Sequence, residues 1–167
     1  MGEGLSKYGR KFLINRAQAL AELKTAVLVW ETPALEAKEA LILITETGAT
    51  MNRPRAAEPL VFELKKSPTP NAFAMGVTLG RTNNNDVVVP DNSVSRFHAY
   101  FQKDAKSGGW QVVDAESKNG TWVGATKLSP LVGAELRDGA RIRVGDIELV
   151  FFLPESFVQY LERKMNG

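Results

Sequence analysis

A series of short β-rich runs, separated by turn-forming clusters, occupies the chain from about residue 60 to residue 153. The runs are rich in Val, Ile and aromatic residues. The clusters between them are rich in Asn, Asp, Gly and Ser, which end strands and form tight turns. Because short strands without intervening helices pair with their neighbours, this pattern predicts a mainly β fold, an antiparallel β-sandwich.

The N-terminal part differs from the β region in the spacing of its apolar residues, and residues 1–50 are predicted to form a helical extension. Apolar residues recur there at the three- and four-residue spacings of one helix face: Leu13, Leu20, Leu23, Val27 and Trp30. A second helix is predicted to begin at Thr32–Pro33 and to stop at Gly48, although its β-branched tail is also compatible with a strand.

These patterns predict four segments along the chain. Residues 51–58 form a linker, because they contain Pro and few apolar residues. Residues 59–153 form the sandwich domain. Residues 154–167 form a short terminal helix, with three apolar residues on one side: Phe157, Tyr160 and Leu161.

Composition excludes several classes of site. The 167 residues include no cysteine and one histidine, which excludes disulfides, cysteine nucleophiles, iron–sulfur clusters and multi-histidine metal sites. From Glu58 onward, 13 Lys and Arg balance 13 Asp and Glu, so a bound anion must be recognised by a few placed residues. No run approaches the roughly 18 apolar residues of a membrane-spanning helix. We therefore expect a cytoplasmic protein with no metal, cofactor, nucleic-acid partner or membrane partner.

Three polar clusters lie at turns of the β region: Gly80–Arg81, Ser95–Arg96–Phe97–His98 and Asn119–Gly120–Thr121. Together with the later patterns L-x-D-G and I-x-V-G, their order and spacing closely resemble the forkhead-associated (FHA) domain, a family that binds phosphothreonine peptides. The resemblance covers about Leu60 to Leu153 and leaves the N-terminal part uncovered. It implies a β-sandwich of the FHA type with a phosphothreonine site formed by loops at one end.

The resemblance also implies roles for four binding residues. The guanidinium of Arg81 is suited to two phosphate oxygens at once, and the Ser95 hydroxyl supplies a further hydrogen bond. Arg96 adds a second positive charge. The side-chain amide of Asn119 has both a donor and an acceptor, and holds the backbone of an extended peptide. In the family, threonine is preferred over serine because its γ-methyl group fills a small apolar pocket.

Other motif residues are expected to support the loops. Gly80 allows a close approach of two backbones, and Gly120 is expected at a positive φ. His98 resembles the family's structural histidine, which braces the loop carrying Ser95. Thr121, with Asp114, is expected to hydrogen-bond the turns.

The implied function is that of a signalling adaptor that docks a phosphothreonine-containing substrate of a Ser/Thr kinase. An enzyme, with Ser95 as nucleophile and His98 as base oriented by Asp104 or Asp114, is disfavoured because no nucleophile elbow or oxyanion hole is recognisable. A scaffold or oligomerisation protein, with a silent or autoinhibited site and a homodimer formed through the N-terminal helices, is the alternative.

Two further features remain open in the sequence. A phosphorylated threonine near the linker would allow the domain to bind its own tail; the candidates are Thr45, Thr47 and Thr50. Selectivity for the residues around the phosphothreonine is expected from the variable turns, namely Asn83, Asn84, Asn92, Ser93 and the turn from Gly124 to Lys127. Departures from the family pattern occur at Val123–Gly124–Ala125 and at Gly139–Ala140.

Overall fold

The protein consists of two β-sheets packed face to face, with helices against one of them. The structure is a computed structural model that describes residues 2–31, 58–68 and 71–167. The first sheet contains, from edge to edge, β1 (Glu3–Gly4), β3 (Leu60–Glu63), β2 (Val27–Trp30), β12 (Ile147–Phe152), β11 (Arg141–Val144), β8 (Thr121–Val123) and β9 (Thr126–Lys127). The second contains β10 (Ala134–Glu135), β7 (Trp110–Asp114), β6 (Ala99–Lys103), β4 (Val77–Gly80) and β5 (Val87–Val88).

Pairing within both sheets is antiparallel, except that β4 and β5 are parallel. The last hairpin shows how the sequence sets the register. Gly145–Asp146 connects β11 to β12, Gly145 has a φ of 58°, and Val144 lies opposite Ile147. A two-residue turn of this kind matches the twist of the flanking strands. The prediction of a β-sandwich is therefore confirmed, with one parallel pair as an addition.

The larger hydrophobic core lies between the two sheets. Its members are fully or nearly fully buried and come from both inner faces, among them Leu28, Leu79, Phe101, Ile142, Leu149 and Phe151. A second core lies on the other face of the first sheet, beneath the helices, and includes Leu23, Val27, Val29, Val61, Phe157 and Leu161. The part of the first sheet formed by β3, β2 and β12 is thus covered on both faces.

The terminal helices pack together over the second core. Helices α1 (Leu5–Ile14) and α2 (Arg16–Glu22) meet at Asn15, whose side chain accepts a hydrogen bond from Gln18 N at 3.1 Å and caps α2. Helix α3 (Pro154–Asn166) begins with proline at its first position, where a missing N–H costs nothing. The predicted C-terminal helix is confirmed, and all three of its predicted apolar residues are buried.

The helix predicted to continue to Trp30 is wrong at its C-terminal end. Helix α2 ends at Glu22, and Val27–Trp30 forms β2, which lies between β3 and β12. Val27 and Val29 face α3, whereas Leu28 faces the other sheet. Because both faces of β2 are buried, its residues are apolar without alternation, and such a run does not reveal its period. Two residues of the predicted helix face, Leu23 and Val27, pack within the chain in the second core. Dimer formation through the N-terminal helices stays a prediction.

Several expectations fall on residues that are not described. The second N-terminal helix, the linker up to residue 57 and the three candidate threonines lie outside the described residues, and the division into domains stays a prediction. The first sheet nevertheless includes strands from residues before that predicted boundary. In the described parts of the chain, no helix is long and apolar enough to span a membrane.

Candidate functional site

Three loops converge at one end of the sandwich, where β4 ends and where β6 and β8 begin. Arg81 N donates to Ser95 O at 2.9 Å, which joins the first loop to the second. Lys118 N donates to Ser95 Oγ at 3.0 Å, and Asn119 Nδ2 donates to Ser93 O at 2.8 Å. These bonds join the second loop to the third. The structure therefore brings Arg81, Ser95 and Asn119 together, on loops held by direct hydrogen bonds.

Arg81 is half-buried and partly anchored. Its Nε donates to Val94 O at 3.1 Å, which fixes the plane of the guanidinium group. Its two terminal nitrogens make no hydrogen bond or ion pair with any described residue. A positioned guanidinium with free terminal donors can bind two oxygens of one phosphate in a bidentate arrangement.

The Ser95 hydroxyl is arranged to donate. Because its oxygen accepts the Lys118 N–H, its own proton is available for an acceptor outside the loop. The backbone N–H of Ser95 is not available, since it donates to His98 Nδ1 at 3.0 Å. Ser95 therefore offers a single donor, and that donor is on the side chain.

Arg96 is exposed, and its side chain makes no hydrogen bond or ion pair within the described residues. Its backbone is held firmly, because Arg96 O accepts bonds from Asn85 Nδ2 at 2.6 Å and from Thr82 Oγ1 at 3.1 Å. Gly80 lies against the same carbonyl, which a Cβ at position 80 would overlap. The charge of Arg96 is thus carried by an exposed side chain on a backbone that is held by two hydrogen bonds.

The amide of Asn119 is partly used within the protein. Its nitrogen donates to Ser93 O, whereas its Oδ1 accepts no hydrogen bond from the described residues. The next residue, Gly120, has a φ of 87°, a conformation that glycine adopts without strain. Asn119 therefore keeps its Oδ1 acceptor and the second N–H of its amide nitrogen for a ligand, so the donor and acceptor roles suggested by the sequence both stay predictions.

His98 is completely buried and supports two of the loops through hydrogen bonds. Its Nδ1 accepts the Ser95 N–H, and its Nε2 lies 2.9 Å from Gly120 O. Since an amide only donates and a carbonyl only accepts, the ring is neutral, with its proton on Nε2. Burial lowers the pKa of His98, although the bond to Gly120 and the charge of Asp114 act in the opposite direction.

A carboxylate supports the third loop. Asp114 Oδ1 accepts bonds from Thr121 Oγ1 and Ser117 Oγ, each at 2.6 Å, and Asp114 Oδ2 accepts from Ser117 N at 3.1 Å. Asp114 and Thr121 are both buried. This network fixes the turn that presents Asn119. It makes no contact with the ring nitrogens of His98, both of which are bonded to backbone groups.

Two supporting residues were missed by sequence reasoning. Asn85 is buried and donates to both Thr82 O, at 2.9 Å, and Arg96 O. It therefore ties the Arg81 loop to the Arg96 loop. Asp86 is buried beside it, with an ion pair of 2.7 Å to Lys66. In the sequence, the cluster from Thr82 to Asp86 indicated a turn with Asn83 and Asn84 as selectivity candidates, and no role was predicted for Asn85 or Asp86. Its signal was an Asn-Asp pair directly before an apolar strand, where polar side chains are close to the core.

The surroundings of Asp86 explain how a carboxylate is tolerated there. It accepts from Ser67 N at 2.7 Å and from Thr78 N at 2.8 Å, in addition to the Lys66 ammonium. Burial alone raises the pKa of Asp86, but these hydrogen bonds outweigh it and hold the pKa below its usual range. Within the described residues, no three Asp, Glu or His side chains are grouped as metal ligands.

Fold and site together define a class of protein, a β-sandwich with three hydrogen-bonded polar loops at one end. The FHA domain family model matches residues 77–145. The oxoglutarate dehydrogenase inhibitor of Corynebacterium diphtheriae is 33% identical over 111 residues, which cover 64% of this chain and 73% of that protein. The chain belongs to the FHA domain family.

Two further likenesses differ in extent. An ABC transporter ATP-binding/permease protein of Mycobacterium tuberculosis is 39% identical over 75 residues, but the match covers 45% of this chain and only 8% of the transporter. The N-terminal FHA domain of Rad53p from S. cerevisiae, solved in complex with a phosphothreonine peptide, superimposes with a TM-score of 0.50. It is 19% identical, with 81% of this chain and 98% of that domain covered, and this likeness supports the fold alone.

Proposed function

We propose that this protein is a phosphothreonine-dependent adaptor whose site consists of Arg81, Ser95, Arg96 and Asn119. The observation that carries the proposal is the guanidinium of Arg81, which its bond to Val94 O anchors and whose terminal nitrogens make no bond within the described residues. The loop of Arg81 is joined by a backbone hydrogen bond to Ser95, whose hydroxyl is arranged to donate. A phosphate dianion needs several charge-assisted donors on a rigid frame. Arg96 supplies the second charge, and Asn119 Oδ1 accepts a backbone N–H of the peptide.

The partner is a protein that a Ser/Thr kinase has phosphorylated on threonine. FHA domains as a family bind phosphothreonine peptides, and one relative of this chain is an inhibitor of an enzyme. A role in which binding regulates or recruits another protein is in keeping with both. We expect phosphothreonine to be preferred over phosphoserine, through contacts with the γ-methyl group.

The adaptor has no catalytic step of its own. An acyl-transfer mechanism would need a base beside the Ser95 hydroxyl, and the sequence offers only His98. Both nitrogens of that ring are bonded to backbone groups, Ser95 N and Gly120 O. The candidate orienting carboxylates are occupied elsewhere, Asp114 by Ser117 and Thr121, and Asp104 by Ser107 N at 2.9 Å. This geometry supports binding without turnover.

The first test is binding to a phosphothreonine peptide library, followed by affinity measurements on the best sequence. Arg81→Ala removes charge-assisted bonds that each contribute about 1.5–3 kcal/mol, so we expect affinity to fall by about 10-fold to 150-fold. Arg137→Ala is the matched control, because Arg137 is exposed on the turn before β11, at the other end of the sandwich.

Three results would contradict the proposal: equal binding of phosphorylated and unphosphorylated peptides, equal losses for the Arg81 and Arg137 variants, or no binding by folded protein. Ser95→Ala provides an independent check. It removes one hydroxyl donor without changing charge, so we expect a smaller loss than for Arg81→Ala, of about 2-fold to 10-fold.

A further inference from the structure

A row of cationic and aromatic side chains lies on the outer face of the first sheet, next to the candidate site. Lys127, Trp122 and Arg143 occupy facing positions on three adjacent strands, β9, β8 and β11. Their neighbours Thr121, Ile142 and Val144 are buried on the opposite face. Because side chains alternate along a strand, the three members of the row share the outer face.

The row is held together by contacts between the cations and the indole. The guanidinium carbon of Arg143 lies 3.6 Å from the centre of the Trp122 ring, and the Lys127 ammonium lies 5.4 Å from it. Arg143 makes one long hydrogen bond, from Nη1 to Gly145 O at 3.4 Å. Lys127 makes no hydrogen bond or ion pair within the described residues. Two cations therefore share one aromatic ring without a carboxylate between them.

The row touches the loop that carries Asn119. A Cβ placed on Gly120 would lie 2.8 Å from Lys127 Cε and 3.0 Å from the Trp122 ring, so the lysine side chain passes directly over Gly120. Gly145, which follows the Arg143 strand, donates to Gly120 O at 3.1 Å. The Lys127 side chain therefore lies next to the turn that carries Asn119.

Among the described residues, few acidic groups lie near the row. Glu148 lies opposite Arg143 on β12 but is ion-paired with Arg141. Asp146 is exposed at the turn after β11, and its backbone N–H is bonded to Ser93 Oγ at 2.9 Å. Within the part of the chain that the structure describes, the row therefore has positive charge without a carboxylate partner, at a place where an anionic side chain of a ligand would be attracted.

We infer that Lys127 and Arg143, placed on the two strands that flank Trp122, bind an acidic side chain of the phosphopeptide beside the Asn119 turn. The inference rests on the proposed function, since it concerns the same bound peptide. It ranks Lys127 above the other variable turn residues as a determinant of selectivity, and it adds Trp122 and Arg143, which the sequence did not single out. Trp122 acts as a positioning residue, because it holds both cations in place.

The test compares phosphothreonine peptides with neutral flanking residues against peptides that carry one aspartate at each flanking position in turn. We expect one position to bind about 2-fold to 5-fold more tightly for each cation that the carboxylate meets. Lys127→Gln should reduce that preference by a larger factor than it reduces affinity for the neutral peptide. Lys127→Arg should retain it, and Arg143→Gln should reduce it as well.

The matched control is Lys103→Gln. The Lys103 ammonium lies 5.4 Å from the Trp110 ring, as Lys127 does from Trp122, but on the second sheet and at the end away from the loops. Equal effects of the Lys103 and Lys127 variants would overturn the inference. An unchanged preference in Lys127→Gln, or no preference for aspartate at any position, would also overturn it.

The two proposals fail in distinguishable ways. If the neutral phosphothreonine peptide binds and aspartate adds nothing, only the acidic contact is wrong. If the folded protein binds no phosphothreonine peptide, or binds without regard to phosphate, the proposed function is wrong and the acidic contact is wrong with it.

Discussion

The buried imidazole of His98 joins two of the three loops that form the candidate site. One ring nitrogen accepts from Ser95 N, and the other donates to Gly120 O. Protonation of Nδ1 would replace an acceptor with a donor and break the bond to Ser95. Burial accordingly holds the pKa of His98 below its ordinary value near 6.5. Folding therefore selects the neutral ring, and the site depends on that protonation state.

This coupling predicts a loss of stability in mild acid. Since the folded pKa of His98 is lowered, the unfolded chain binds more protons below about pH 6.5, and the free energy of unfolding falls as pH decreases from there. The slope is at most about 1.4 kcal/mol per pH unit for one proton. We expect denaturant titrations from pH 7.5 to 5.5 to show this decline, and His98→Gln to remove it.

The chain offers a clean control for that experiment. It has a single histidine, so one imidazole NMR signal reports the folded titration directly, even if the His98→Gln variant is poorly folded. The lowered pKa of Asp86 affects stability only in stronger acid. A folded His98 midpoint at or above 6.5 would contradict the prediction.

The prediction of the candidate site depended on the resemblance to the FHA family more than on the residue types alone. Arg81 and Ser95 were predicted from their positions in that motif, and the structure joins their loops through a hydrogen bond from Arg81 N to Ser95 O. Asn85 and Asp86 were given no role, because a turn-rich cluster does not reveal which of its polar side chains point inward. Their roles emerge only once β4, β5 and the segment before β6 are assembled, since each bonds to groups that are distant in sequence.

Among the elements, β2 shows most clearly why the N-terminal part was misread. Its residues alternate between two buried faces, with Leu28 in the core between the sheets and Val27 and Val29 beneath the helices. An amphipathic helix also places apolar residues three and four apart, so the spacing alone did not separate the two structures. The segment is a strand because it pairs with both adjoining strands, β3 and β12.

This placement predicts that β2 is part of the stable unit. Leu28 is completely buried, and Leu28→Ala should lower the free energy of unfolding by about 2–5 kcal/mol. Leu13 lies in α1 and is 73% exposed, so Leu13→Ala should change the free energy of unfolding by about 0.5 kcal/mol or less. Urea denaturation of both variants provides the comparison. Similar small losses would mean that β2 does not belong to the cooperative unit.

At the scale of the whole molecule, positive and negative charges nearly balance, and the candidate site depends on a few placed cations. The net charge is +2, and the part of the chain from Glu58 onward is neutral in the formal count of Lys, Arg, Asp and Glu. A broad positive field is therefore absent, and attraction of a phosphate depends on placed cations such as Arg81 and Arg96. Long-range steering of the kind seen at strongly basic surfaces is not expected.

Salt dependence separates local recognition from a general field. Raising ionic strength from about 0.05 M to 0.5 M screens exposed charges, and for two guanidinium contacts we expect a loss of about 1 kcal/mol, or about 5-fold in Kd. Titration calorimetry with one phosphothreonine peptide at several salt concentrations measures it. Arg96→Ala should flatten the dependence, because Arg96 is exposed and has no ion-pair partner among the described residues, whereas Arg137→Ala should leave it unchanged. If the Arg137 variant flattened it equally, the attraction would come from the overall charge, and the assignment of Arg96 to the phosphate would be wrong.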